Sequence, residues 1–121
     1  MLKATLFDGE LKVMEMLWEQ EPVSAKALSL TAAERIGWNK NTTYTVIKKL
    51  VDKGVIRREE PGFICHAMVR REDVARAETD SLVGRFFGGS KKALFSALLA
   101  DETLSSEELS ELKALINDKL S

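Results

Sequence analysis

Cys65 and His66 are the one cysteine and the one histidine of the chain, and a thiol beside an imidazole is a nucleophile–base pairing that enzymes use. Here the two are adjacent in a stretch that reads as a strand. Neighbouring strand side chains leave on opposite faces, so the pair cannot work together. One cysteine and one histidine also fall short of a four-ligand zinc site, and a single cysteine closes no intrachain disulfide. No phosphate-binding glycine loop, paired-histidine spacing or serine elbow occurs. The sequence therefore reads as a non-enzyme without metal or cofactor, with Cys65 as a small buried residue. A redox role for Cys65 would require an accessible thiol of low pKa.

A second group of residues suits a different chemistry. Asn41, Thr42, Tyr44, Thr45, Lys48 and Lys49 lie in one segment, and Arg57 and Arg58 follow closely. Asparagine can read adenine with two hydrogen bonds, a threonine methyl suits the thymine methyl, and lysine, arginine and tyrosine can hold phosphates. From Asn39 to Arg58 six basic residues stand against Asp52, a local charge of +5, although the whole chain carries only -1. From Asp101 to Ser121 six acids oppose two lysines, giving -4. That asymmetry fits one end facing phosphates and the other facing protein.

The elements that would position these side chains follow from periodicity and punctuation. Asp8 is placed to cap a first helix with Leu11, Met14, Leu17 and Trp18 inward, stopped by Pro22. After a short extended link at Val23, Ser24 caps a second helix carrying Ala25, Leu28, Ala32 and Ile36, closed by Gly37. Trp38 and Asn39 turn into a third helix whose inward residues are Thr43, Val46, Ile47, Leu50 and Val51, ended by Gly54. By the same geometry Asn41, Tyr44, Thr45, Lys48, Lys49 and Asp52 face outward, Tyr44 having the rival fate of packing at the domain edge. Trp18 and Trp38 read as core or turn anchors.

Val55–Glu59 and Phe63–Val69 read as two strands around a Pro61–Gly62 turn. Arg57 and Arg58 would sit on this wing, either against DNA or paired with Glu59 and Glu60. Three helices and a hairpin are the order of a winged helix, so the fold class is mainly α, with residues 1–70 as a DNA-binding domain.

Residues 71–121 read as an α-helical dimerisation region. A helix from about Glu72 to Phe87 breaks at Gly88 and Gly89, Ser90 caps a short helix, and Ser105 with Glu108 forms the capping box of the last one. Phe86, Phe87, Leu94, Leu98, Leu109, Leu112, Leu115 and Ile116 form apolar stripes that a second copy of the chain would cover. No run long enough to span a membrane occurs, and Met1–Phe7 lacks the pattern of a signal peptide, so a cytoplasmic location is expected.

DGELKVMEMLW from Asp8 to Trp18, WNKNTTYTVIKKLVDKGVI from Trp38 to Ile56 and LSSEELSEL from Leu104 to Leu112 together resemble the penicillinase-repressor (BlaI/MecI-type) family over nearly the whole chain. The resemblance implies an N-terminal winged helix, a C-terminal three-helix dimerisation region and, as partner, double-stranded operator DNA of inverted repeats bound by a homodimer. It implies a repressor of β-lactamase or of another resistance or stress gene. The family pattern has a basic residue at Asn41's place and often an arginine at Lys49's. The best-known members are cut by a membrane-bound sensor protease at an Asn-Phe bond. The corresponding bond here is Ala97–Leu98, without that dipeptide. The paired Cys-x-Cys motifs of a copper-sensing branch are absent from this tail. The contrasting reading is a winged helix used for protein assembly, its basic face incidental.

Overall fold

The computed structural model describes residues 6–121; most of the Met1–Phe7 stretch considered above as a signal segment lies outside the described residues. In chain order the elements are α1 (Asp8–Gln20), β1 (Val23–Ser24), α2 (Ala25–Ile36), α3 (Lys40–Asp52), β2 (Ile56–Glu59), β3 (Ile64–Ala67), α4 (Arg71–Phe87), α5 (Lys91–Leu99) and α6 (Ser106–Leu120). The chain is mainly α, and its first part has the winged-helix order. It divides into two compact units, 1–78 and 79–121, with the division inside α4.

In the first unit, Val13, Met14, Leu17, Leu28, Ile47 and Leu50 are fully buried and form one cluster with Ala25, Ala32, Val55, Ile56 and Cys65. Fully burying an aliphatic side chain contributes about 1.5–3 kcal/mol relative to leaving it in water, so this cluster is what holds α1, α2 and α3 together. Ser24 accepts the Ala27 N–H and starts α2, and Gly37 ends it at φ 69, a left-handed conformation that side-chain-bearing residues avoid.

Two expectations for α1 are corrected. Asp8 is its first helical residue rather than its cap: the capping residue is Phe7, whose N–H donates to Glu10 Oε1 at 2.9 Å. An apolar side chain cannot cap, and a carboxylate three residues on can reach back to satisfy the amide. Leu11 is 37% exposed, while Val13 and Met16 are buried. The helix packs against α2, α3 and β3, so its buried face is wider than one narrow stripe.

The sheet has the order β1-β3-β2 and is antiparallel throughout. Val23 pairs with Cys65 and Ser24 with Ile64, so the short link between α1 and α2 is a third strand. Across the hairpin Arg57 pairs with His66 and Arg58 with Cys65.

In the second unit, α5 and α6 are each capped by serine: Ser90 accepts the Ala93 N–H, and Ser105 accepts the Glu108 N–H while Glu108 reaches back to Ser105 N. Neither helix has a buried residue, whereas Val83 of α4 is buried.

Candidate nucleic-acid interface

Asn39 sets the start of α3: its side chain accepts the Thr42 N–H at 2.8 Å, and the β conformation of Asn39 turns the chain into the helix. Trp38 packs over Gly9 of α1, where a Cβ would come within 3.3 Å of the indole ring, so glycine there allows the close approach. Thr43, Ile47 and Leu50 bury the inner face of α3, with Val46 and Val51 half-buried against the same core.

Rotation about the helix then fixes the outer face. Asn41, Thr42, Thr45, Lys48 and Lys49 are exposed together on α3. Thr45 Oγ1–H donates back to the Asn41 carbonyl at 2.8 Å, which commits its proton to the helix. Tyr44 is half-buried instead: its ring meets the Phe63 ring edge-on at 6.0 Å, and Lys40 Nζ lies 5.8 Å from its centroid. Tyr44 thus takes up the edge-packing fate while remaining at the rim of the exposed face.

The basic residues of this region divide by partner. Lys53 Nζ is 2.6 Å from Glu10 Oε1 and 4.6 Å from the Phe7 centroid, so it is turned toward α1. Arg58 forms an ion pair with Glu60 and lies 3.7 Å from the Phe63 centroid. Lys48, Lys49 and Arg57 are exposed and make no salt bridge among the described residues. Together with Lys40, which is likewise exposed and without a salt bridge among the described residues and lies 5.8 Å from the Tyr44 centroid, they are the cations of this region left facing solvent with charge to give to a polyanion. His66 Nε2 lies 3.0 Å from Glu59 Oε1, and this contact with the imidazole, together with the nearby Arg57 charge, holds the Glu59 carboxyl below its ordinary pKa.

Glu10 is 5% exposed. Burial alone would raise its pKa, but the Lys53 hydrogen bond, the Phe7 N–H and the charges of Lys53 and Lys49 outweigh it and hold the carboxyl below the usual value. Cys65 lies buried on the core side of the hairpin, and burial pushes its thiol up to about 11. That is the opposite of what a redox switch requires. Among the described residues no cluster of three or more His, Cys, Asp or Glu could hold a metal ion.

Of the apolar tail residues, Phe86, Leu98, Leu109, Leu115 and Ile116 are exposed, with Phe86 at 69% and Leu115 at 65%. Phe87, Leu94 and Leu112 are half-buried within the same chain.

A helical core closed by an antiparallel hairpin, with an exposed polar and basic face on its third helix, defines a winged-helix protein. The comparisons narrow this further. The penicillinase repressor family model matches residues 7–118, and the chain belongs to that family. It is similar to the penicillinase repressor of Bacillus licheniformis, 23% identical over 92% of this chain and 88% of the relative. To the methicillin resistance regulatory protein MecI of Staphylococcus aureus (strain N315) it is 25% identical over 92% of each. The solution structure of the DNA binding domain of the repressor BlaI matches with a TM-score of 0.54 at 22% identity, covering 60% of this chain and 93% of that one. That likeness bears on the fold.

Proposed function

We propose that this chain is a transcriptional repressor that binds double-stranded DNA through the outer face of α3. The observation that carries the proposal is the joint exposure of Asn41, Thr42, Thr45, Lys48 and Lys49 on one face of the third helix of a winged-helix fold. Helices of this kind enter the major groove, where amides and methyls read base edges while cations hold the phosphates. Arg57 on the wing adds a phosphate contact, and Tyr44 and Arg58 act at the border between helix and wing. In this reading residues 1–70 are the DNA-binding domain and residues 71–121 the dimerisation region.

The operator is an inverted repeat bound by a homodimer, because two-fold protein symmetry is matched by two-fold symmetry in the site. The exposed Phe86, Leu98, Leu109, Leu115 and Ile116 support a second copy as the cover, with Phe87, Leu94 and Leu112 beside them. The regulated gene is β-lactamase or another resistance or stress gene, and the protein acts in the cytoplasm. No helix among the described residues is long and apolar enough to cross a membrane. A membrane sensor protease cutting Ala97–Leu98 would sever α5 and separate the half-sites, which is how loss of the dimer would release DNA.

The test is a gel shift of the full chain on duplex DNA from upstream of its own coding sequence, at several salt concentrations, with footprinting. A protected inverted repeat whose occupancy falls with salt supports the repressor. Absence of binding at low salt moves the α3 face to a protein partner and leaves an assembly module.

A further inference from the structure

Phe63 occupies a position that the DNA-reading residues do not explain. It sits at the tip of the hairpin with φ 49, in the left-handed region that bulky side chains avoid. Glycine would fit that backbone better but would forgo every contact that the ring makes. Its face carries the Arg58 guanidinium at 3.7 Å, and its edge contact is the Tyr44 ring at 6.0 Å and 78° between planes. Its backbone is fixed at both ends: Phe63 N–H donates to Glu60 Oε1 at 3.1 Å, and Phe63 O accepts the Ala25 N–H at 2.9 Å. Glu60 also pairs with Arg58. One residue thus ties together the start of α2, the outer rim of α3 and the cation of β2.

We propose that Phe63 is a positioning residue that locks the wing to the recognition helix, fixing Arg58 and Tyr44 in one register so that both reach the same stretch of DNA backbone. This rests on the DNA-binding reading above. Stacking on the ring and pairing with Glu60 already hold the Arg58 guanidinium in place, so it meets a phosphate by exchanging its carboxylate partner, without being ordered at that moment. The Tyr44 edge sets the distance between the two groups. Without the ring, wing and helix would still exist but would contact DNA independently of each other.

The experiment compares the full chain with Phe63→Leu, which keeps the apolar bulk and loses the π face, and with Phe63→Tyr, which restores it. Phe63→Gly, which relieves the backbone, controls for folding. Probes are a duplex from upstream of the coding sequence and a random-sequence duplex of equal length. Phe63→Leu is expected to lower affinity for the upstream duplex about tenfold, the scale of one cation–π contact, with Phe63→Tyr close to the parent. Hydroxyl-radical protection by the wing should blur in Phe63→Leu and Phe63→Gly while protection by α3 remains. Parent affinity and footprint in both variants, or no rescue by Phe63→Tyr, would overturn the role. If the parent chain binds neither duplex, the DNA-binding reading has failed on its own. Hydrogen exchange of the wing amides of Ile64–Ala67 then decides on Phe63: faster exchange in Phe63→Leu than in Phe63→Tyr supports the lock, and equal exchange refutes it.

Discussion

Lys53 Nζ and Glu10 Oε1 are 2.6 Å apart, which joins the C-terminal end of α3 to the first turn of α1. The same carboxylate accepts the Phe7 N–H, so one group caps the first helix and anchors the third. Glu10→Ala should therefore destabilise the fold by about 1–2 kcal/mol, the usual scale for losing a helix cap, while leaving the outer face of α3 unchanged. Denaturant unfolding, with DNA binding measured on the folded fraction, checks both halves.

The same site gives a pH dependence whose sign is fixed. The Glu10 carboxyl is held below its ordinary value of 4.5, so its contribution to stability is fully present above that value and is lost as pH falls through the lower folded-state value. The melting temperature of the parent should exceed that of Glu10→Gln near neutrality, and the gap should close in acid. A gap that stays constant down to pH 3 would contradict the assignment.

Asn41 is exposed in the first turn of α3, and in the proposed function it reads a base edge. Asn41→Ala should cost about 1–3 kcal/mol of discrimination between the preferred duplex and one altered under α3. The salt dependence should not change, because no phosphate contact is lost. Competition binding with single-base variants of the site measures this.

Cys65 should behave as an inert core residue. Its thiol is buried, with a pKa pushed up to about 11, so at pH 7.5 the reactive thiolate is scarce as well as shielded. A thiol reagent should label the native protein far more slowly than the denatured chain. Equal rates would revive a redox role.

Leu115 and Ile116 are 65% and 55% exposed within one chain. Ile116→Glu should leave the melting of the winged-helix unit unchanged and shift sedimentation from dimer to monomer. In the proposed dimer the two half-sites are linked, so its loss should lower operator affinity by roughly 10²-fold or more. A variant that stays dimeric would place the interface elsewhere.

Much of this was legible in the residues because it is local. Ser24, Ser90 and the Ser105–Glu108 pair announce helix starts through hydrogen bonds spanning three residues. The spacing of Thr43, Ile47 and Leu50 determines which side of α3 is exposed. What escaped depends on distant partners. The Val23–Ser24 strand is defined by Ile64 and Cys65, far along the chain. Asp8 looked like a cap because aspartate is a good one, yet Glu10 takes that work through its reach back to Phe7. Arg58 and Tyr44 could be named from their types, but not their common contact with Phe63, which needs the hairpin folded against α3.

DNA binding by α3 is tested most directly by the salt dependence of duplex binding by the parent and by Lys48→Ala with Lys49→Ala, followed by fluorescence anisotropy. Both lysines are exposed and neither makes a salt bridge among the described residues, so the variant should fold, with only the distant Lys49 charge on Glu10 lost and Lys53 still bonded to it. Binding by the parent should weaken linearly in log–log form, and the double substitution should reduce the slope by about 2 per protomer, close to 0.9 for each lost phosphate contact. Unchanged affinity and slope in the variant would contradict the claim that this face of α3 binds DNA.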